Sequence, residues 1–251
     1  MRFIILYVIF FSLSTNAQKP YLKRNQPASK YKWFLSFSDD FRKESTIEKK
    51  WIAQNSSPGH ILSSRWRENI SVKNGKLLLK NKKEQRGGKE WTSGCITCKT
   101  NNGYGYYEAR LKISGASGVN NSFWMSASRT DNKNSFEIDF LEIHYPDEIH
   151  YTVHDYGTEY DSYHTSVTEV LKMGIDLSSK FHIYGVCWNE KTIDFYFDGR
   201  IKWSTNNNVC KHIGPMIIST AILNWAGTIS DDINNTMMVV DYVRYWKNTS
   251  L

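Results

Sequence analysis

The sequence predicts an all-β fold, a sandwich or barrel of antiparallel strands, on three observations. Apolar and polar residues alternate along several segments, turn dipeptides divide those segments, and helical periodicity is scarce. Tyr107, Ala109, Leu111 and Ile113 fall on one face of a strand, and Tyr106, Glu108, Arg110 and Lys112 on the other. Residues 193–197 and 238–246 alternate in the same way, and Asn74-Gly75, Asn102-Gly103, Asp198-Gly199 and Gly214-Pro215 read as turns. Many short strands with turns between them define a sandwich or barrel. The second face of these strands carries Tyr, Glu, Arg and His, which suits the wall of a cleft and equally a wet outer face. Residues 83–90 read as an exposed loop.

One sandwich can occupy all 251 residues, and a core of that size needs no disulfide or metal to be stable. The N-terminus reads as a signal peptide. Arg2 precedes an apolar run at 3–13, and Thr15-Asn16-Ala17 offers small residues before a cut ahead of Gln18. That run is too short to span a bilayer, and no second one follows. The expected organisation is a signal peptide at 1–17, a polar basic arm at 18–32 and one catalytic domain at 33–251. The mature chain is expected to be a secreted or periplasmic monomer.

The formal charge is +7, with Lys and Arg scattered along the chain. No arginine-rich run and no DNA-reading module appears, so a nucleic-acid partner is not expected. An anionic polymer, or a plain solubility charge, accounts for the balance. Aromatic residues make up 14%, with nine Trp and fifteen Tyr, which serves both strand formation and a ligand platform. Of four cysteines, Cys95 and Cys98 form a C-x-x-C with no second ligand pair at zinc spacing. Buried thiols, or one or two disulfides, are the reading.

The chemistry lies in Ser135-Phe136-Glu137-Ile138-Asp139-Phe140-Leu141-Glu142. Three acids among strand formers are unfavourable unless they face water or a ligand. Glu137 and Asp139 share a face, whereas Glu142 would fall on the opposite one. One extra residue, a β-bulge near Phe140-Leu141, returns it to the same side. Glu137 and Glu142 are then about 13 Å apart along the strand. Inward-leaning side chains reduce this toward the ~5–5.5 Å of a retaining glycosidase or the ~6.5–9.5 Å of an inverting one. Crowded carboxyls cannot all ionise, so the cluster keeps a proton. Calcium loops are rich in Asp, Asn and Gly, and Ile138, Phe140 and Leu141 do not fit one.

Glu-Ile-Asp-Phe-Leu-Glu resembles the E-x-D-x-x-E signature of family 16 glycoside hydrolases. Further landmarks follow in order. They are Trp66 to Leu77, Thr92-Ser93-Gly94, Gly103 to Lys112, Phe123-Trp124, Phe181 to Val186, Phe195 to Gly199 and Val240 to Arg244. The resemblance covers residues 33–247. It implies a jelly-roll β-sandwich of two antiparallel sheets with a concave cleft, and endo-acting cleavage with retention. It assigns Glu137 as nucleophile, Asp139 as its helper and Glu142 as acid/base, with no cofactor for catalysis. The bulged spacing is similar to that of laminarinases, agarases, porphyranases and carrageenases. The signature of lichenases and xyloglucan transferases lacks the extra residue.

The resemblance also places the substrate contacts. Trp66, Trp124 and Trp225 stand where relatives carry stacking Trp, and each could instead be core. His154 stands where galactan-cleaving relatives carry a cleft His. Arg129 and His144 flank the catalytic strand and suit a sulfate or a galactose hydroxyl. Asn121-Ser122 before Phe123-Trp124, and Ile143-His144-Tyr145 after Glu142, depart from the laminarinase pattern. The expected substrate is a β-linked algal galactan, with a β-1,3-glucan as alternative. A lectin on the same fold would be marked by a lost carboxylate, and all three are present. Asp241 stands where relatives hold a structural calcium.

Overall fold

The computed structural model describes residues 18–128 and 133–250; residues 1–17 and Arg129 lie outside them. Two large antiparallel sheets stack face to face. One runs, in spatial order, Arg200–Asn206, Thr192–Phe197, His182–Trp188, Gly105–Lys112, Met237–Asn248, Lys76–Lys80 and Ile70–Lys73, with Trp33–Asp39 also paired to Met237–Asn248. The other runs Thr165–Lys172, Glu148–Asp155, Phe136–His144, Val119–Ala127, Gly214–Ile222, Cys95–Asn102 and Trp51–Ala53. This is the jelly-roll sandwich that the alternation and the motifs predict.

Period-two alternation builds the core between the sheets. Tyr107, Ala109, Leu111 and Ile113 enter it from the eight-stranded sheet, and Phe123, Met125, Ile138 and Ile218 from the seven-stranded one. The opposite face of Gly105–Lys112 is not a cleft wall. Residues 18–32 cross it. Tyr106, Cys187, Tyr196 and Trp246 form a second cluster with Ala28, closed by Leu22, Tyr31 and Trp33. The Tyr21 N–H donates to Glu108 Oε2 at 2.7 Å, and the Trp246 indole donates to the Gln18 carbonyl at 2.6 Å. Tyr106 lies across Gly185, where an added Cβ would come within 2.2 Å of its hydroxyl.

Two local expectations are corrected. Residues 83–90 are not a loop. Lys82–Arg86 and Lys89–Ser93 form a hairpin that pairs with Ser63–Arg65 in a third, three-stranded sheet. Gly87 and Gly88 adopt positive φ, as a tight two-residue turn requires. Gly214-Pro215 is not a turn but opens the strand Gly214–Ile222. Proline has no N–H for a ladder, and here it sits at a register shift against Cys95–Asn102. The four cysteines are free, buried thiols. Burial pushes Cys95 up to about 11, so it is an inert thiol near neutral pH.

Candidate active site

The bulge lies where the spacing places it. Against Val119–Ala127, Phe123 pairs with Leu141 and Trp124 with Asp139, so Phe140 is skipped. Against Glu148–Asp155, Asp139 pairs with Thr152 and Glu142 with His150, so two residues oppose one. Phe140 and Leu141 both turn into the core. Glu137, Asp139 and Glu142 consequently line one hollow of about 530 Å³, with Arg65, Asn120, Ser122, Trp124, Tyr156, Ser219 and Trp225 among its walls. Two residues further along the strands, Ser126 and Ile217 line a second hollow with Gln54, Thr97, Lys133 and His212.

Each acid has its own environment. Burial raises Glu137 to about 8, and the neighbouring Asp139 adds to this. Asp139 is the most enclosed of the three, and burial followed by the charge of Glu142 holds it well above the carboxylate range. Burial also raises Glu142, opposed by the Asn120 amide, which donates to its Oε1 at 2.6 Å. The hydrogen bond between Asp139 and Glu137 pushes Glu137 up and Asp139 down, so the two carboxyls share a proton, and Glu137 is free to ionise when Asp139 holds it. Glu142 retains its proton above the ordinary glutamate range and can act as an acid.

Trp124 lies in the cleft wall and is oriented by a 3.1 Å hydrogen bond from its indole to Ser219 Oγ. Trp225 is half exposed at the rim, edge-on to His144 and His150. Trp66 is not in the wall. Successive strand residues point to opposite sides, and it is Arg65 that enters the cleft. Trp66 packs on the hairpin under Arg86, whose guanidinium lies 4.0 Å from its ring centre. His154 does not face the cleft as a free donor. Its Nε2 lies 3.1 Å from Asp139 Oδ2 and its Nδ1 2.9 Å from His164 Nε2, so both nitrogens serve the protein. His144 is buried, and burial with the charge of His150 lowers it to about 4.

Asp241 does not fit a calcium ligand. Its carboxylate oxygens are taken by Lys76, at 2.7 Å, and by Arg110. Two cations at hydrogen-bond distance already neutralise the carboxylate and repel a third. Sequence reasoning missed Arg65, Asn120, Tyr156 and Ser219. Arg65 was open to discovery as the strand neighbour of Trp66; the others carry no local signal and come together only through strand pairing.

Residues 31–248 match the family model for the β-porphyranase A–D domain of glycoside hydrolase family 16, and the chain belongs to that family. A β-glucanase of Acetivibrio thermocellus is 27% identical over 79% of this chain, which spans 59% of that protein's length. β-Porphyranase E of Zobellia galactanivorans is 28% identical over 83% of this chain and 85% of its own. The fold superposes on the κ-carrageenase of the same organism with a TM-score of 0.79 at 21% identity, covering 92% of this chain and all of that one.

Proposed function

We propose that the protein is an extracytoplasmic, endo-acting glycoside hydrolase that cleaves an anionic β-linked galactan with retention, an algal sulfated galactan such as porphyran or carrageenan, or its neutral relative agarose. Glu137 attacks the anomeric carbon while Glu142 protonates the leaving oxygen. Glu142 then removes a proton from the water that releases the sugar. Asp139 supplies the hydrogen bond that keeps Glu137 ionised before attack.

One observation carries the anionic substrate. Arg65 is 8% exposed, lines the cleft, and has no carboxylate within ion-pair distance among the described residues. Among the described residues its guanidinium makes one hydrogen bond, a 3.3 Å contact with Gln54, and its Nε has no partner. A sheltered guanidinium without a counter-ion is costly, and a sulfate ester supplies both charge and paired acceptors. Cleavage of a β-glucan is the second reading, favoured by the β-glucanase among the relatives.

Digestion of agarose, porphyran, carrageenan, laminarin and lichenan, followed by product masses, tests this. A sulfated galactan should be cut best, and KM on it should rise with salt as the Debye length shrinks from ~10 Å at 0.1 M to ~3 Å at 1 M. Arg65→Ala should raise that KM about tenfold or more, the equivalent of one charge-assisted contact, and leave KM on agarose nearly unchanged. If laminarin is the best substrate and salt has no effect, the galactan reading fails while the hydrolase reading stands.

A further inference from the structure

Beyond Glu142, the catalytic strand and its neighbour carry three ligand-type side chains on one side. His144 pairs with Glu148 across the ladder, and His150 follows Glu148 by two residues, so all three emerge together. His144 Nδ1 lies 3.6 Å from Glu148 Oε1, and His150 Nε2 lies 2.8 Å from the same oxygen. The three ligand atoms lie within 4.8 Å of one another. A tetrahedral zinc ion with bonds of 2.0–2.2 Å sets its ligand atoms roughly 3.3 Å apart, and the two measured contacts bracket that spacing.

We propose that His144, Glu148 and His150 form a binding site for a divalent transition-metal ion, zinc being the best match, at the rim of the cleft. Two imidazoles and one carboxylate suit zinc, nickel or copper and not calcium. All three ligands stand on or beside paired strands, so little ordering is needed on binding. Trp225 rests edge-on against both rings, at 4.4 Å and 5.5 Å between centres, and fixes their planes. His144 is buried and anchors the site, while the partly exposed Glu148 and His150 leave a path for the ion and an open fourth position for solvent. Lys172, 3.9 Å from the second oxygen of Glu148, opposes binding. The site takes no part in bond cleavage. An ion there holds the two rings beneath Trp225 and so stiffens the aromatic rim.

Calorimetric titration of the tag-free chain with zinc chloride tests the site, with cobalt(II) absorption as a second readout. One ion per chain should bind with micromolar or tighter affinity, and cobalt should give the intense visible bands of tetrahedral coordination. His150→Ala and Glu148→Gln, both at partly exposed positions, should each weaken binding at least about tenfold and remove the cobalt bands. Glu137→Gln should leave both readouts unchanged. Absence of micromolar binding, or binding indifferent to His150→Ala and Glu148→Gln, overturns the proposal. So does binding lost in Glu137→Gln, because that locates the ion at the Glu137, Asp139 and His154 cluster instead.

Discussion

His154 joins the carboxyl cluster of Glu137 and Asp139 to a second histidine. Its Nε2 lies 3.1 Å from Asp139 Oδ2 and 4.0 Å from Glu137 Oε1, and its Nδ1 lies 2.9 Å from His164. The ring therefore orients Asp139, which in turn orients Glu137. His154→Ala should lower kcat by about 10- to 100-fold with little change in KM, and equally on every polysaccharide that is cut. A loss confined to galactans, or a change in KM alone, would show that the ring acts on substrate instead.

Glu137→Gln and Glu142→Gln should each reduce kcat by about a thousandfold or more, since either loss stops the two-step route. Glycan binding, followed by affinity electrophoresis, should survive because the amide keeps the shape of the acid. Residual activity within tenfold of the native enzyme for either variant would remove that residue from the chemistry.

With Glu142 as the proposed acid, Asn120 should set the alkaline limit of activity. Its amide donates to Glu142 and favours the ionised form, against the upward push of burial. Activity falls as pH rises through the Glu142 pKa, because the acid form is lost. Removing the donor raises that pKa, so Asn120→Ala should move the alkaline limb of kcat/KM to higher pH. A limb that stays in place or moves down would sink the assignment.

Stability should fall as the solution becomes more basic. Burial beneath residues 18–32 raises Glu108 to about 7 from 4.5, so the folded chain holds a proton that the unfolded chain has lost. That contribution is fully present below pH 4.5 and disappears as pH rises through 7. The shift corresponds to a loss on the order of 3 kcal/mol. Glu108→Gln, which cannot ionise, should flatten the decline in melting temperature between pH 5 and 8. An unchanged slope would indicate that Glu108 is not the responsible group.

Much of the fold and the acid cluster was legible because both rest on local alternation. The bulge could be read from Glu142 alone, since the core had to accept Phe140 and Leu141 together. Contacts that depend on which side of a short strand faces the cleft were not legible. Trp66 and Arg65 are adjacent in sequence, and only the pairing of Ser63–Arg65 with Lys89–Ser93 decides which one points inward. Asp241 looked free because Lys76 and Arg110 are distant in sequence and meet it only across the sheet. The role of residues 18–32 was hidden for the same reason, as a polar segment gives no hint that it will roof Tyr106 and Glu108.

Phe140 sits 4.9 Å from the ring of Tyr107 and 4.9 Å from that of Phe123, on the dry side of the sheet. Its seat there is what keeps the strand out of simple alternation between Asp139 and Glu142. The gauge between Glu137 and Glu142 is thus set by three aromatic rings in the core, on the far side of the sheet from the cleft. Exchanging one of them for a smaller side chain would let the kink relax and respace the two acids without altering any group in the cleft. On the proposed mechanism the interior is part of the catalytic tolerance, and substitutions at Tyr107 and Phe123 should lower turnover as well as stability.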